Sequence, residues 1–156
     1  MDQEQFLHHI SQHQGIIHKI CRLYRHSKED REDLFQEIVF QLWKSVPGFE
    51  GASRFSTWMY RVALSTAMAG FRKKQPDIFY THELPHTHEE PEPDDQRERL
   101  FNALAQLNDG DKALITLYLE GLTYREIADI TGITQMHVGV KLNRVKTKIQ
   151  QLLNIK

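Results

Sequence analysis

Apolar residues recur along most of this chain at intervals of three and four, the spacing that lines one face of an α-helix. In the first half, this pattern predicts helices over residues 3–26 and 29–46, and Pro47 with Gly48 ends the second. A third helix is predicted over residues 53–74. We therefore expect an all-α fold.

The C-terminal half combines the same periodicity with helix start and stop signals. A helix over 97–107 is followed by Asn108, a good N-cap residue, and by a further helix that Gly121 ends. Thr123 and Glu126 then have the spacing of a capping box, so they predict the start of another helix.

A sharp turn follows that start and predicts a helix-turn-helix. Gly132 allows the chain to reverse after about two turns of helix, and the next helix begins near Thr134. Ala128 would let the two helices cross closely, and Val138 would pack back between them. The outward side of the second helix is polar and cationic, with no acid after Asp129: Gln135, Met136, His137, Lys141, Asn143, Arg144, Lys146 and Lys148.

A recognition helix in the major groove of DNA fits this pattern, with early residues near base edges and later cations near phosphates. A helical hairpin that binds nothing can show the same apolar spacing. The acid-free flank favours DNA.

Residues 75–95 differ in composition from the rest of the chain. They contain no Lys or Arg, seven Asp or Glu, and four of the five prolines. Such a segment buries too little apolar surface to offset its ordering entropy. We predict an acidic, proline-containing flexible linker between two small helical domains, 1–74 and 96–156.

Composition bounds the class of protein. The chain has 156 residues, a net charge of -1 and a single cysteine, Cys21, which excludes an internal disulfide. No apolar run approaches the length of a membrane span, and the N-terminus lacks a signal-peptide pattern. We expect a cytoplasmic protein without membrane insertion.

The charges are segregated, because residues 53–74 carry five cations and no acid. One helical stripe there, within roughly 40° of a common direction, holds Arg54, Trp58, Arg61, Ser65, Met68 and Arg72. Lys73 and Lys74 follow. Cations beside a large aromatic ring suit single-stranded nucleic acid, since the charges follow phosphates and the ring stacks on a base. A solvated basic face with Trp58 half buried is the alternative.

The arc beside this stripe is predicted to be core. Its residues are apolar or small: Phe55, Met59, Val62, Ala63, Thr66, Ala67, Ala69 and Gly70. The small ones would let another helix approach closely.

The second helix carries a large apolar residue among polar ones on its outer face. Asp33, Gln36, Glu37 and Phe40 share that face. They form a candidate contact for a partner protein. A singly exposed Phe40 is the alternative and would need no explanation.

The histidines raise the question of a metal site. His8, His9, His18 and Cys21 lack the close spacing of typical ligand pairs, and His82, His86 and His88 fall in the predicted linker. No nucleophile–base constellation or phosphate loop is visible. We therefore expect no metal, no cofactor and no enzymatic activity, with an enzyme or metal sensor as a minor alternative.

The chain resembles the extracytoplasmic-function (ECF) group of bacterial RNA polymerase sigma factors over nearly its whole length. The segments EDLFQEIVFQLWKSVPGF and SRFSTWMYRVA look like the first conserved domain of that family. LTYREIADITGITQMHVGVKLNRVKTKI looks like its promoter-binding C-terminal domain. A stand-alone helix-turn-helix repressor would account for the second half only.

The resemblance implies partners and roles for particular residues. The family's first domain docks on the β′ clamp helices of core polymerase, which implies a contact by Asp33, Leu34, Gln36, Glu37 and Phe40. The same domain opens the −10 element, implying Arg54, Phe55, Trp58, Arg61, Ser65, Arg72, Lys73 and Lys74. The last helix reads the −35 element, implying Gln135, Met136, His137, Lys141, Asn143, Arg144 and Lys146.

The resemblance also implies a linker that threads towards the polymerase active centre, near the β subunit, and an anti-sigma factor that holds the protein inactive. Four positions depart from the family pattern. Ser65 and Ala69 replace a frequent Asn and Asp, and Gly139 with Val140 replaces a basic or polar pair. We hypothesise that base readout is relaxed and that an additional targeting protein assists.

Overall fold

The computed structural model describes residues 1–49, 54–69 and 95–154, and every regular element within these ranges is a helix. The all-α prediction is confirmed. The chain divides into two compact units, Met1–Glu90 and Pro91–Lys156. Most of the predicted linker lies outside the described residues, so its conformation stays a prediction.

The described residues of the first unit form three helices and a short 3₁₀ turn. They are α1 (Gln3–Tyr24), α2 (Lys28–Ser45), the 3₁₀ turn (Val46–Gly48) and α3 (Phe55–Ala69). Each helix packs against the other two. The predicted end of α1 at about residue 26 lies close to its observed end at Tyr24, where Arg25 is extended and the Ser27 side chain accepts the Asp30 amide at 3.0 Å to start α2.

Apolar side chains from all three helices form the core of the first unit. Phe6, Ile10, Ile17, Ile20, Ile38, Val39, Leu42, Met59, Ala63 and Leu64 are almost inaccessible to solvent. The buried positions of α3 are Thr57, Trp58, Met59, Tyr60, Ala63, Leu64 and Ala67. The predicted core arc is therefore confirmed at Met59, Ala63 and Ala67, whereas Val62 and Thr66 are only half-buried.

A buried arginine connects the ends of α1 and α3. The Arg25 guanidinium donates to the Ala67 carbonyl at 3.1 Å and to the Tyr24 carbonyl at 2.8 Å, and Arg31 donates to the Arg25 carbonyl at 3.1 Å. Carbonyls in the last turn of a helix lack intrahelical partners and carry partial negative charge. Arg25 satisfies such groups on two helices at once.

Four helices lie within residues 95–154 of the second unit. They are α4 (Asp95–Ala105), α5 (Asp109–Leu119), α6 (Tyr124–Thr131) and α7 (Gln135–Leu153). Asp95, predicted as the last linker residue, is the first residue of α4. Helix α7 packs against each of the other three.

The predicted caps of the second unit are confirmed. The Asn108 side chain accepts the Asp111 amide at 2.9 Å. Gly121 has φ +86°, and the Leu122 amide bonds back to the Leu117 carbonyl at 3.2 Å, which is the Schellman arrangement that ends α5. At the far end of the unit, Arg99 donates to the Leu153 carbonyl of α7 at 2.7 Å.

Gly15 lies inside α1 with nothing within 4 Å of the place a methyl group would occupy. We expect Gly15→Ala to raise the free energy of unfolding by roughly 0.5–1 kcal/mol, because alanine loses less backbone entropy in a helix. Urea unfolding followed by tryptophan fluorescence measures this in the first unit, since both tryptophans, Trp43 and Trp58, belong to it.

Gly132→Ala provides the opposite control. Gly132 has φ +81°, so an alanine there is strained and should cost roughly 1–2 kcal/mol. Unfolding followed by circular dichroism measures that loss. Equal effects of the two substitutions would contradict the backbone argument.

Candidate nucleic-acid interface

Helix α3 presents a cationic, acid-free surface. Arg54, Arg61 and Ser65 are exposed, as the stripe prediction requires, and α3 contains no Asp or Glu. Arg54 immediately precedes the helix, and its carbonyl accepts the Trp58 amide at 3.1 Å. Arg72, Lys73 and Lys74 lie outside the described residues. The described part of the surface offers two cations for phosphate contacts.

Trp58 is not an exposed member of this surface. Its side chain is 8% exposed, and its ring centroid lies 5.0 Å from that of Phe49 and 5.3 Å from that of Phe55. The sequence did not place Phe49, because the chain after α2 has no helical periodicity to orient it. The expectation of an open stacking platform at Trp58 is therefore wrong, because its side chain is buried more deeply than the half-buried position that the alternative gave it.

Phe55 is a partly exposed aromatic residue of this region, as is Phe49. It stacks on His9 with a centroid distance of 4.6 Å, and the His13 ring lies 5.2 Å away. Phe49 meets it edge-on at 5.8 Å. Sequence reasoning missed His9 as a neighbour of this surface, although its spacing of four residues from His13 puts both on one side of α1.

The environment of His9 disfavours its protonated form. Burial lowers the pKa of His9 below its ordinary value, and the nearby His13 and His8 lower it further. His13 Nδ1 lies 2.9 Å from the His9 carbonyl oxygen, an arrangement in which a protonated Nδ1 donates. The lowered pKa therefore favours the neutral form of the ring that supports Phe55.

Helix α2 carries a separate face with acidic and aromatic character. Asp33 is exposed, and Gln36, Glu37 and Phe40 are half-buried. The Glu37 carboxylate accepts a hydrogen bond from the Gln41 side chain at 3.1 Å, which orients it on the helix. Leu34 is 3% exposed, so it supports this face from beneath instead of standing on it as the resemblance implied.

Two capped turns orient the helix-turn-helix. The Thr123 hydroxyl accepts the Glu126 amide at 3.1 Å, and the Glu126 carboxylate accepts the Thr123 amide at 3.0 Å, which confirms the capping box. Gly132 adopts the left-handed conformation, and the Thr134 hydroxyl caps α7 by accepting the His137 amide at 3.2 Å. Val138, fully buried, packs α7 against its neighbours.

Most of the predicted recognition surface is open to solvent. Gln135, Met136, His137, Val140, Asn143, Arg144 and Lys148 are exposed. Lys141 and Lys146 are half-buried, and the Lys146 ammonium lies 4.0 Å from the centre of the Tyr118 ring. This cation–π contact holds Lys146 against α5 and limits the directions in which it can reach a phosphate.

Gly139 and Val140 differ in their surroundings. A methyl group at Gly139 would lie 3.4 Å from Tyr124 Cε2, an ordinary van der Waals contact, so Gly139 lies beside the Tyr124 ring. Val140 is 61% exposed. Gly139 is therefore a packing position between α6 and α7, whereas Val140 presents an apolar group on the outer surface.

Among the described residues, the side chains that could hold a metal are not assembled into a site. Within the described ranges, no group of three His, Cys, Asp or Glu side chains is placed to bind a metal ion. Burial raises the pKa of the Cys21 thiol to about 12, so it does not supply a thiolate. His82, His86 and His88 lie outside the described residues.

Comparison with known families places both units in one class of protein. The family model described as Sigma-70 region 2 matches residues 9–76, and the model described as Sigma-70, region 4 matches residues 97–149. The first match covers the cationic and acidic surfaces of the first unit. The second covers the helix-turn-helix.

Relatives match along most of the chain. The ECF RNA polymerase sigma-E factor of Haemophilus influenzae is 28% identical over 165 residues, covering 92% of this chain and 87% of the relative. ECF sigma factor SigW of Bacillus subtilis is 25% identical over 169 residues, covering 97% and 90%.

Solved structures share the fold. The sigma factor RpoE of Bartonella quintana, solved with the anti-sigma factor NepR, has a TM-score of 0.73 at 16% identity and covers 98% of this chain and 99% of its own. CnrH, solved with the cytosolic domain of CnrY, has a TM-score of 0.71 at 18% identity, covering 98% and 90%.

Regions 2 and 4 define sigma factors, the initiation subunits of bacterial RNA polymerase, and this chain is one of them. Within that class it belongs to the ECF group of the sigma-70 family. Sigma factors are initiation factors, not enzymes. The region 2 match also excludes a stand-alone helix-turn-helix repressor, which would not account for the first unit. Among the described residues, no helix is long and apolar enough to cross a membrane.

Protonation of His9 should destabilise the first unit. Its pKa in the folded state is below the ordinary value of about 6.5, so the unfolded chain binds the proton more readily. The contribution of neutral His9 to the free energy of unfolding is fully present above about pH 6.5. It is lost as the pH falls from there towards the pKa of His9 in the folded state. Urea midpoints from tryptophan fluorescence at several pH values measure this loss.

His9→Phe keeps a ring against Phe55 without a titrating group, so we expect a smaller difference between neutral and acidic midpoints in this variant. The exposed His26 offers a matched control, because His26→Gln should retain the wild-type pH dependence. An unchanged pH dependence in His9→Phe would contradict the assignment.

Proposed function

We propose that this chain binds core RNA polymerase, directs it to promoters, opens the −10 element with its N-terminal domain and reads the −35 element with its helix-turn-helix. The observation that carries the proposal is the segregation of charge among three helices. Helix α2 has an acidic and aromatic face, whereas α3 and α7 expose cations and contain no acid.

The face of α2 is the proposed contact with the β′ clamp helices. Asp33 and Glu37 supply negative charge, Gln36 supplies hydrogen-bonding groups, and Phe40 supplies a partly exposed ring. The hydrogen bond from Gln41 restricts the Glu37 side chain before any partner binds. A pre-oriented group loses less entropy on association, which supports this face as a docking surface.

The exposed edge of α3 is the proposed site for the −10 strand. Arg54 and Arg61 would follow the phosphates, and Phe55 is the described aromatic ring best placed to meet an extruded base. Trp58 would support Phe55 from the core. A DNA contact by Arg72, Lys73 and Lys74, which follow α3 in the sequence, stays a prediction.

Energetics requires the polymerase to take part. Extruding a base costs a few kcal/mol, whereas stacking it on an aromatic side chain returns roughly 1–3 kcal/mol. One half-buried phenylalanine cannot melt a promoter by itself. The free chain, with a net charge of -1, should therefore bind duplex DNA weakly and become a specific reader only in the holoenzyme.

The surface of α7 is the proposed reader of the −35 element. Its first turns expose Gln135, Met136 and His137, in the position where recognition helices meet base edges. Asn143, Arg144, Lys141 and Lys146 continue the surface towards the phosphates. The acid-free sequence of the helix supports this role.

Regulation and location follow from the same assignment. Both solved structures were determined with a bound partner, one of them an anti-sigma factor, so we propose an anti-sigma factor for this chain as well. A targeting protein stays a hypothesis. Core polymerase acts in the cytoplasm, which is therefore the proposed location.

Run-off transcription tests the assignment. Core polymerase from the source organism is assayed on a library of promoter fragments with and without the protein, and specific transcripts are expected only with it. Glu37→Ala with Phe40→Ala should abolish those transcripts and the co-purification of core, because the pair removes the acidic and aromatic parts of the α2 face.

Glu32→Ala is the matched control for that experiment. Glu32 is an exposed acid on the same helix but is not a member of the proposed face, so its loss should leave both readouts unchanged. Core binding that survives Glu37→Ala with Phe40→Ala would contradict the assignment of this face.

Promoter opening separates the roles of two α3 residues. Arg61→Ala should leave the free energy of unfolding within about 0.5 kcal/mol because Arg61 is exposed. It should reduce permanganate reactivity of thymines in the −10 element several-fold, because a phosphate contact is lost.

Trp58→Ala should instead lower the free energy of unfolding by about 3–5 kcal/mol, the usual cost of emptying a large buried site. Trp58→Phe should recover most of the opening, because a ring still supports Phe55. Full opening by Arg61→Ala, or an unaltered stability of Trp58→Ala, would contradict these roles.

A further inference from the structure

Two large apolar side chains stand on the outer surface of the recognition helix. Met136 is 79% exposed and Val140 is 61% exposed. They are four residues apart, so they lie on one stripe with their Cβ atoms about 5–6 Å from each other. Removing such groups from water is normally favourable, so their exposure on the surface suggests that a binding partner covers them.

The stripe points directly away from the packed side of the domain. Val138, Leu142, Val145 and Ile149 form the buried side of α7. At about 100° per residue, Met136 and Val140 fall roughly opposite the mean direction of those residues. The apolar pair therefore occupies the most outward line of the helix, within its first two turns.

The surroundings of the pair favour an anionic partner. The side chains that flank it are polar or cationic, including His137, Asn143 and Arg144, and α7 contains no acid. A protein partner that covers an apolar patch has no general preference for a helix without carboxylates, whereas DNA favours one, because its phosphates repel carboxylates. The partner that covers Met136 and Val140 should therefore be a polyanion that displays an apolar group.

The thymine methyl group is that chemistry. It is an apolar group displayed on a base edge in the major groove, where recognition helices place their early residues. Four residues advance about 6 Å along a helix, close to two base-pair steps of about 3.4 Å. Both side chains can therefore reach methyl groups within three consecutive base pairs.

We propose that Met136 and Val140 read thymine methyl groups in the −35 element by apolar contact. This inference rests on the proposed function of α7. It also revises the hypothesis of relaxed readout, because Val140, in place of a hydrogen-bonding side chain, would read a thymine methyl group. Gly139 lies beside the Tyr124 ring.

The test removes single methyl groups from the DNA. A −35 element selected by the holoenzyme from a randomised promoter library is resynthesised with deoxyuridine in place of each thymine in turn. Run-off transcription is then compared for the wild type, Met136→Ala and Val140→Ala. Deoxyuridine keeps all base-pairing groups, so only the methyl contact changes.

With the wild type, we expect a loss of about fourfold at one or two thymines, the fold-change that corresponds to about 0.8 kcal/mol per buried methyl. The matching alanine variant should initiate less well on the thymine template and lose its sensitivity to deoxyuridine. Leu119→Ala is the matched control. Leu119 is 53% exposed but lies on α5, so this variant should keep the wild-type sensitivity.

Three results would overturn the proposed methyl contact by itself, and a fourth would overturn it together with the sigma function. If transcription is specific but insensitive to every deoxyuridine substitution, the protein does not read thymine methyl groups, although it still acts as a sigma factor. Equal sensitivity in the wild type and both alanine variants assigns the methyl contact to another group or to DNA shape, and a uniform loss at all positions in the variants assigns the pair to a protein partner. If the protein directs no specific transcription at all, the proposed function fails together with this inference.

Discussion

The packing of α3 against both α1 and α2 is the constraint on which the first domain depends. Ala63 and Ala67 are fully buried, and their small side chains let the neighbouring helices approach closely. The Arg25 guanidinium then ties the last turn of α3 to the end of α1 through the Ala67 and Tyr24 carbonyls. With one side of α3 committed to this core, its other side is free to carry Arg54 and Arg61.

Charge segregation explains how a nearly neutral chain can contact a polyanion and a protein partner. Acids dominate the linker composition and contribute to the face of α2, whereas α3 and α7 contain none. Because screening limits exposed charges to about 10 Å at ordinary ionic strength, each surface acts through its local charge. The net charge of -1 therefore weakens binding of the free chain to duplex DNA but does not exclude a local contact at α7.

Aromatic packing links the cationic surface to the rest of the first domain. Trp58 is buried between Phe49 and Phe55, and Phe55 stacks on His9 from a different helix. The ring closest to the proposed −10 site is thus supported by residues from α1 and from the segment after α2. Its orientation is a property of the assembled domain.

The sequence by itself determined the helices, the helix-turn-helix and its caps, because these depend on periodicity and on contacts within three or four residues, such as Thr123 with Glu126 and Thr134 with His137. It also located the cationic and acidic faces. Tertiary structure alone decided that Trp58 and Leu34 are buried, that His9 lies under Phe55, and that Gly139 receives Tyr124. Those outcomes depend on residues distant in sequence or on another helix, and no local periodicity encodes which neighbour will cover a given side chain.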